Sequence, residues 1–300
     1  MAYFENGNAR IYYEDVGEGE PILVNHGLSE DTGYWSDTGV TAALADKYRV
    51  ISFDMRGHGR TIVEGESKGY DEITMGDDID ALADHLDIEK FHLLSHATGG
   101  MYAARFGIRR SARLLSLMLT DTGSETLPTM YHPDGREITE EEQAQAFVAA
   151  EEARQAAQEA PPAEPDFEER KAAWRANPGV FTFKMEQHPD SDELFKVLDG
   201  FYLRRLSNPA MVEFMMSFYN DPDPMIEGLR QVRCPTLILI GEHDIVFIKP
   251  SELMAKEIPD NRHVVMPGVG HMTAIEDSEN TIRELLDFLD CVNSTGIANR

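Results

Sequence analysis

Residues Phe91-His92-Leu93-Leu94-Ser95-His96-Ala97-Thr98-Gly99-Gly100 decide the fold. An apolar run of strand length gives way at once to a small-residue turn and then to a glycine pair that opens a helix. So sharp a strand-to-helix reversal holds its tip residue in strained backbone and projects that side chain clear of the sheet. Its neighbours two positions away must be small, because a larger side chain would collide with the turn. Ser95 and Gly99 meet that need, and the tip itself is Ala97.

Elements on either side repeat the strand-then-helix pattern. Residues 2–16 read as a hairpin, with Asn6-Gly7 as its turn and Arg10-Ile11-Tyr12-Tyr13-Glu14 as strand formers. Ile22-Leu23-Val24 is a short buried strand that runs into Asn25-His26-Gly27-Leu28. Residues 35–46 read as one helix, and Val50-Ile51-Ser52-Phe53 as the next strand, running into Asp54-Met55-Arg56-Gly57-His58-Gly59-Arg60-Thr61. Thr74 is placed to cap a helix whose stripe is Ile79, Leu82, Ala83 and Leu86. Leu114 to Thr120 is a further buried strand and ends at Asp121.

The composition changes after Ser124, and no buried parallel strand recurs before Pro235. Thr139 with Glu142 reads as a capping box for an acidic helix to about residue 159. Helices are also expected over 167–175, 192–206 and 209–220. Strand signals resume at Thr236 to Ile240 and at His263 to Met266, and Ser278 opens a closing helix with Ile282, Leu285, Leu286 and Leu289 on one face. Alternating strands and helices predict an α/β fold with a parallel sheet covered on both faces.

The 300 residues suit one large domain with an insertion. A net charge of −27, from 54 acidic and 27 basic residues, repels nucleic acid and anionic membrane, so neither is expected as a partner. Two cysteines imply no disulfide framework. No apolar leader or membrane-length run is visible, which gives a cytoplasmic expectation. Scattered histidines and two distant cysteines predict no metal site, and the lack of a glycine-rich phosphate loop predicts no nucleotide cofactor.

The strand, cramped turn and Gly-Gly of residues 91–100 resemble the nucleophile elbow of the α/β-hydrolase family. Asn25-His26-Gly27-Leu28 resembles its oxyanion loop, and residues 54–61 resemble its Asp-x-Arg-Gly-x-Gly-x-Ser segment, with Thr61 in place of the serine. The resemblance covers residues 1–123 and 233–292. It implies a mostly parallel eight-stranded sheet, a core of residues 1–123 and 233–300, and a helical lid, 124–232, inserted after the sixth strand. It also implies a nucleophile at position 97, an acid at Asp244 in the Gly-x-x-Asp turn, and a base at His271 in Gly-x-Gly-His. Asp121 is the alternative acid, since some family members take theirs from that strand. Oxyanion donors would be the backbone N–H groups of Leu28 and Thr98. His26 would brace its loop, and His96 would line the pocket or pack beneath the lid.

Ala97 departs from the family, which places serine there. A methyl group cannot attack a carbonyl, so the protein is expected to be inert. Two explanations compete. One is a serine hydrolase of carboxylic esters or lactones with a serine-to-alanine change at position 97, made so that substrate binds without turning over. Retention of Asp244 and His271 favours it. The other is a natural non-catalytic relative that binds a small hydrophobic ligand in the manner of a receptor. Carbon–carbon bond hydrolysis shares the same elbow and remains an alternative. The partner expected is a small hydrophobic ester or lactone, and a homo-oligomer is left open.

Overall fold

The structure is a computed structural model that describes residues 2–124, 136, 139, 142, 145, 165–176, 179–206, 210, 213, 214 and 226–299. Strands β1 (Ala2–Asn6) and β2 (Ala9–Val16) form the expected hairpin, and Gly7 takes the left-handed conformation its turn requires (φ 60°). The other strands are β3 (Glu20–Asn25), β4 (Tyr48–Phe53), β5 (Ile62–Val63), β6 (Phe91–His96), β7 (Leu114–Thr120), β8 (Thr236–Gly241) and β9 (Asn261–Met266). Their order is β1-β2-β4-β3-β6-β7-β8-β9. Pairing is antiparallel up to β4 and parallel from there to β9. The eight strands of this path are those the sequence predicts. The two-residue β5, too short to carry a pattern, adds to β2.

Alternation along the central strands sends side chains to two cores. Leu23, Leu93, Ile238 and Ile240 join one, and Ile22, Val24, Leu94, Leu237 and Leu239 join the other. The first core is covered by α3 (Glu72–His85), α4 (Ala97–Arg110) and α9 (Ile248–Glu257). The second lies under α1 (Gly33–Ser36), α2 (Val40–Ala45) and α11 (Ser278–Thr295), where Trp35, Leu44, Leu285, Phe288 and Leu289 are buried.

Between β7 and β8 lie α5 (Phe167–Ala176), α6 (Gly179–Gln187), α7 (Ser191–Leu206) and the short α8 (Ile226–Leu229). Met185, Phe195 and Phe201 from these helices reach the second core. The last short helix, α10 (Thr273–Glu276), precedes α11. No helix of the described residues is long and apolar enough to cross a membrane.

Four local expectations change. The helix expected over 35–46 is two, because Gly39 turns left-handed (φ 81°) between α1 and α2. Asp71, not Thr74, caps α3: it is extended (ψ 156°) and accepts from the Thr74 N–H, while Thr74 is already helical. Helix α6 carries β-branched and aromatic residues, a weak helical signal, and tertiary packing through Met185 overrides it. Asp277 accepts from the Asn280 N–H and so caps α11. The reciprocal bonds of the Thr139–Glu142 capping box are present, at 2.9 Å and 3.3 Å. Most of the helices expected to 159 and over 209–220 lies outside the described residues.

Candidate active site

Strand β6 turns into α4 at Ala97, which takes a left-handed φ of 44° that few non-glycine residues adopt. Thr122 Oγ1 donates to the Ala97 carbonyl at 2.6 Å and fixes the turn. A Cβ on Gly99 would run into the His26 carbonyl and the Asn25 side chain, so glycine is required for the elbow to approach the loop after β3. A Cβ on Gly27 would come within 3.0 Å of the Ala97 methyl, so the His26-Gly27-Leu28 turn lies directly against the tip.

Asp244 follows β8 and is fully buried; His271 follows β9 and is 5% exposed. His271 Nδ1 lies 2.7 Å from Asp244 Oδ2. That contact assigns the proton to Nδ1 and leaves Nε2 as the basic nitrogen. Asp244 Oδ1 accepts from the N–H groups of Val246 and Phe247, at 3.1 and 3.0 Å, so the carboxylate is itself held in place. The Phe247 ring stacks on His271 at 5.3 Å. Residues 28, 97, 244 and 271 all follow the carboxyl ends of parallel strands, where sites collect in open α/β sheets.

Asp121 is also buried, but its contacts lie elsewhere. Its Oδ1 accepts from Gly241 N–H at 3.3 Å, and its Oδ2 from Thr273 N–H at 3.1 Å and Thr273 Oγ1 at 2.6 Å. Asp244, not Asp121, is thus the carboxylate on the His271 ring.

Thr98 lies in the first turn of α4, where an N–H has no intrahelical partner and the helix end carries partial positive charge. Leu28 follows a turn braced by His26, whose Nδ1 donates to the Gly27 carbonyl at 2.8 Å and whose Nε2 accepts from the Met55 N–H at 3.2 Å.

The sequence pattern of the alpha/beta hydrolase fold matches residues 20–278. The chain belongs to the α/β-hydrolase family. A non-heme haloperoxidase of Rhodococcus erythropolis is 25% identical over 294 residues, 93% of this chain and 96% of that protein. A thermophilic esterase from Thermogutta terrifontis superposes with a TM-score of 0.68 at 25% identity, over 95% of this chain and 94% of that one. Est816, described as an N-acyl homoserine lactone degrading enzyme, superposes with a TM-score of 0.69 at 22% identity, over 95% and 99% of the two chains. That last likeness is one of fold.

On this α/β-hydrolase scaffold the structure adds groups that sequence reasoning missed. Glu276 accepts from the N–H of Gly270 at 2.9 Å and of Met272 at 3.1 Å, clasping the backbone on both sides of His271. Burial raises the Glu276 carboxyl above its usual range, against the pull of those two N–H groups. Glu30 is buried and accepts from the Gly27 N–H at 2.6 Å. Tyr34 stacks flat on His96, with centroids 4.1 Å apart. A buried glutamate is unusual enough to mark a function, but only the folded chain reveals the burial. His96 is wholly buried, and its ring centroid lies 5.3 Å from that of His271. It packs under the site among polar groups.

Proposed function

We propose that this chain carries the site of a hydrolase for small carboxylic esters or lactones, halted at substrate binding because position 97 lacks an oxygen. The observation that carries the reading is the 2.7 Å Asp244–His271 pair at the sheet edge that also bears the elbow. With a hydroxyl at position 97, His271 Nε2 would take its proton as the oxygen attacked the ester carbonyl. The N–H groups of Leu28 and Thr98 would hold the oxyanion. His271 would then give the proton to the leaving alcohol, and water would release the acid by the same steps. Asp244 would keep the imidazole in its tautomer and stabilise the imidazolium.

Ala97 removes only the bond-forming atom, so the N–H donors remain for binding. The esterase relative supports an ester substrate, and a lactone is the cyclic case of the same chemistry. Residues 124–232 would form the lid. What supports this is Arg204 of α7, which reaches Asp31 at 2.6 Å and Asp37 at 3.0 Å, just beyond the Leu28 turn.

The test is Ala97→Ser, assayed against aryl esters and lactones and labelled with a fluorophosphonate. Turnover should rise by roughly 10⁴–10⁶-fold, the span lost when a serine nucleophile is removed. Absence of both labelling and turnover would sink the hydrolase reading. It would favour a natural ligand-binding relative, the reading to which the Ala97 methyl itself points.

A further inference from the structure

His96 sits beside the elbow, fully buried, and the reaction above gives it no task. Its Nε2 lies 3.4 Å from Glu30 Oε1. Its Nδ1 lies 3.2 Å from Thr120 Oγ1 and 3.5 Å from Asp121 Oδ2. The Thr120 hydroxyl has the Ser95 carbonyl 3.5 Å away as an acceptor for its proton, which leaves its oxygen able to accept from Nδ1. Nε2 makes no directed hydrogen bond, but a buried carboxylate stands within ion-pair reach of each ring nitrogen, a setting that favours the imidazolium. The Tyr34 ring, stacked at 4.1 Å, offers its face to that cation.

Each carboxylate beside His96 goes on to hold a different loop. Glu30 Oε2 accepts the Gly27 N–H, one residue before Leu28. Asp121 Oδ2 accepts both the N–H and the hydroxyl of Thr273, two residues after His271. His96 itself immediately precedes position 97.

We propose that His96, as an imidazolium, is a positioning residue that locks the Leu28 turn, the position-97 elbow and the His271 loop into one register through Glu30 and Asp121. Its consequence for turnover rests on the ester-hydrolase reading; the linkage itself does not. The titratable groups facing it are Glu30 from the turn after β3, Tyr34 from α1, Asp121 from the end of β7 and His271 from the loop after β9. Asp244 and Glu276 act behind them, through Asp121 and Tyr34. Burial alone would push His96 down, but Glu30 and Asp121 outweigh it and hold its pKa up at about 9. Raising the pH through that value leaves two buried carboxylates without their cation and frees the loops they hold.

The experiment is a titration of the full chain, labelled with ¹⁵N on histidine and on the backbone, followed by NMR. His96 should carry both N–H protons at pH 7 and lose one near pH 9. The amides of Gly27, Leu28 and Thr273 should shift with the same midpoint. Glu30→Gln keeps an acceptor and removes the charge, so it should lower that midpoint by about one unit or more. It also serves if His96→Gln does not fold. Where His96→Gln folds, both loops should shift, and the double variant with Glu30→Gln should bring them back toward their original positions. A His96 with one N–H at pH 7, or amides of Leu28 and Thr273 that ignore its titration, would overturn the proposal. In an Ala97→Ser background, Glu30→Gln should move the alkaline limb of kcat to lower pH while KM stays within about twofold, a change that a packing role would not produce. If Ala97→Ser shows no turnover, the hydrolase reading fails while the NMR titration still decides the linkage.

Discussion

His58 and His96 flank the turn that carries Leu28, both lie wholly out of water, and yet one stays neutral while the other is a cation. His58 Nδ1 donates to the Arg56 carbonyl at 3.0 Å, the edge of Phe214 packs 4.6 Å away, and His26 stands 5.1 Å off. Burial, helped by His26, pushes the His58 pKa down to about 3, so it stays neutral. His96 suffers the same desolvation but lies between two carboxylates, and its pKa rises to about 9. Burial therefore sets the cost of charging a ring, and the partners decide whether that cost is met.

The largest test removes each ring in turn. His96→Leu would leave Glu30 and Asp121 as uncompensated buried charges and should cost ~3–5 kcal/mol in urea unfolding at pH 7. His58→Leu loses one neutral hydrogen bond and some packing, about 1–2 kcal/mol. Equal losses would break the contrast. Gly99→Ala, whose Cβ would strike the His26 carbonyl, should cost ~1–3 kcal/mol by overpacking the elbow against the His26 turn.

The pH dependence of stability should carry opposite signs at the two sites. Below about pH 6.5 the unfolded chain takes up a proton that buried His58 refuses, so this contribution is lost as pH falls from there toward 3. His96 holds its proton more tightly folded than unfolded. Its contribution is complete below about pH 6.5 and is lost as pH rises through about 9. Each limb should reach up to ~1.4 kcal/mol per pH unit. Urea midpoints across pH 4–10 read both limbs, and His58→Leu should flatten only the acid one. The smallest effect belongs to Arg204→Gln. This partly exposed cation on Asp31 should matter by no more than ~1 kcal/mol, and less in 0.5 M salt, when followed by thermal unfolding.

The positions of the candidate residues at strand ends were legible because the family's loops write themselves locally. Ala97, Thr98, Asp244, His271 and Leu28 each follow a strand of strong apolar pattern, in turns whose glycines announce tight geometry. Asp121 shows where local reading stops. It sits at a strand end much as Asp244 does; the Gly-x-x-Asp turn put Asp244 first only by resemblance, and the 2.7 Å contact with His271 is what separates the two. Glu30 and Glu276 were missed because glutamates in polar loops normally face water. Their burial depends on α1, α10 and the sheet edge closing over them, contacts that join distant parts of the chain. Helix α6 was missed for the opposite reason: its local signal was wrong for its state, and packing on the second core prevailed.

Sequence by itself determined the strand–helix alternation, the placement of the elbow and the methyl at its tip, since these follow from periodicity, turn chemistry and residue identity along the chain. Tertiary structure turned the preference for Asp244 over Asp121 into a measured contact with His271, and it alone decided which buried histidine is charged. Those outcomes depend on distances between residues far apart in sequence, and at His96 two carboxylates within a few ångströms together outweigh the desolvation that burial imposes.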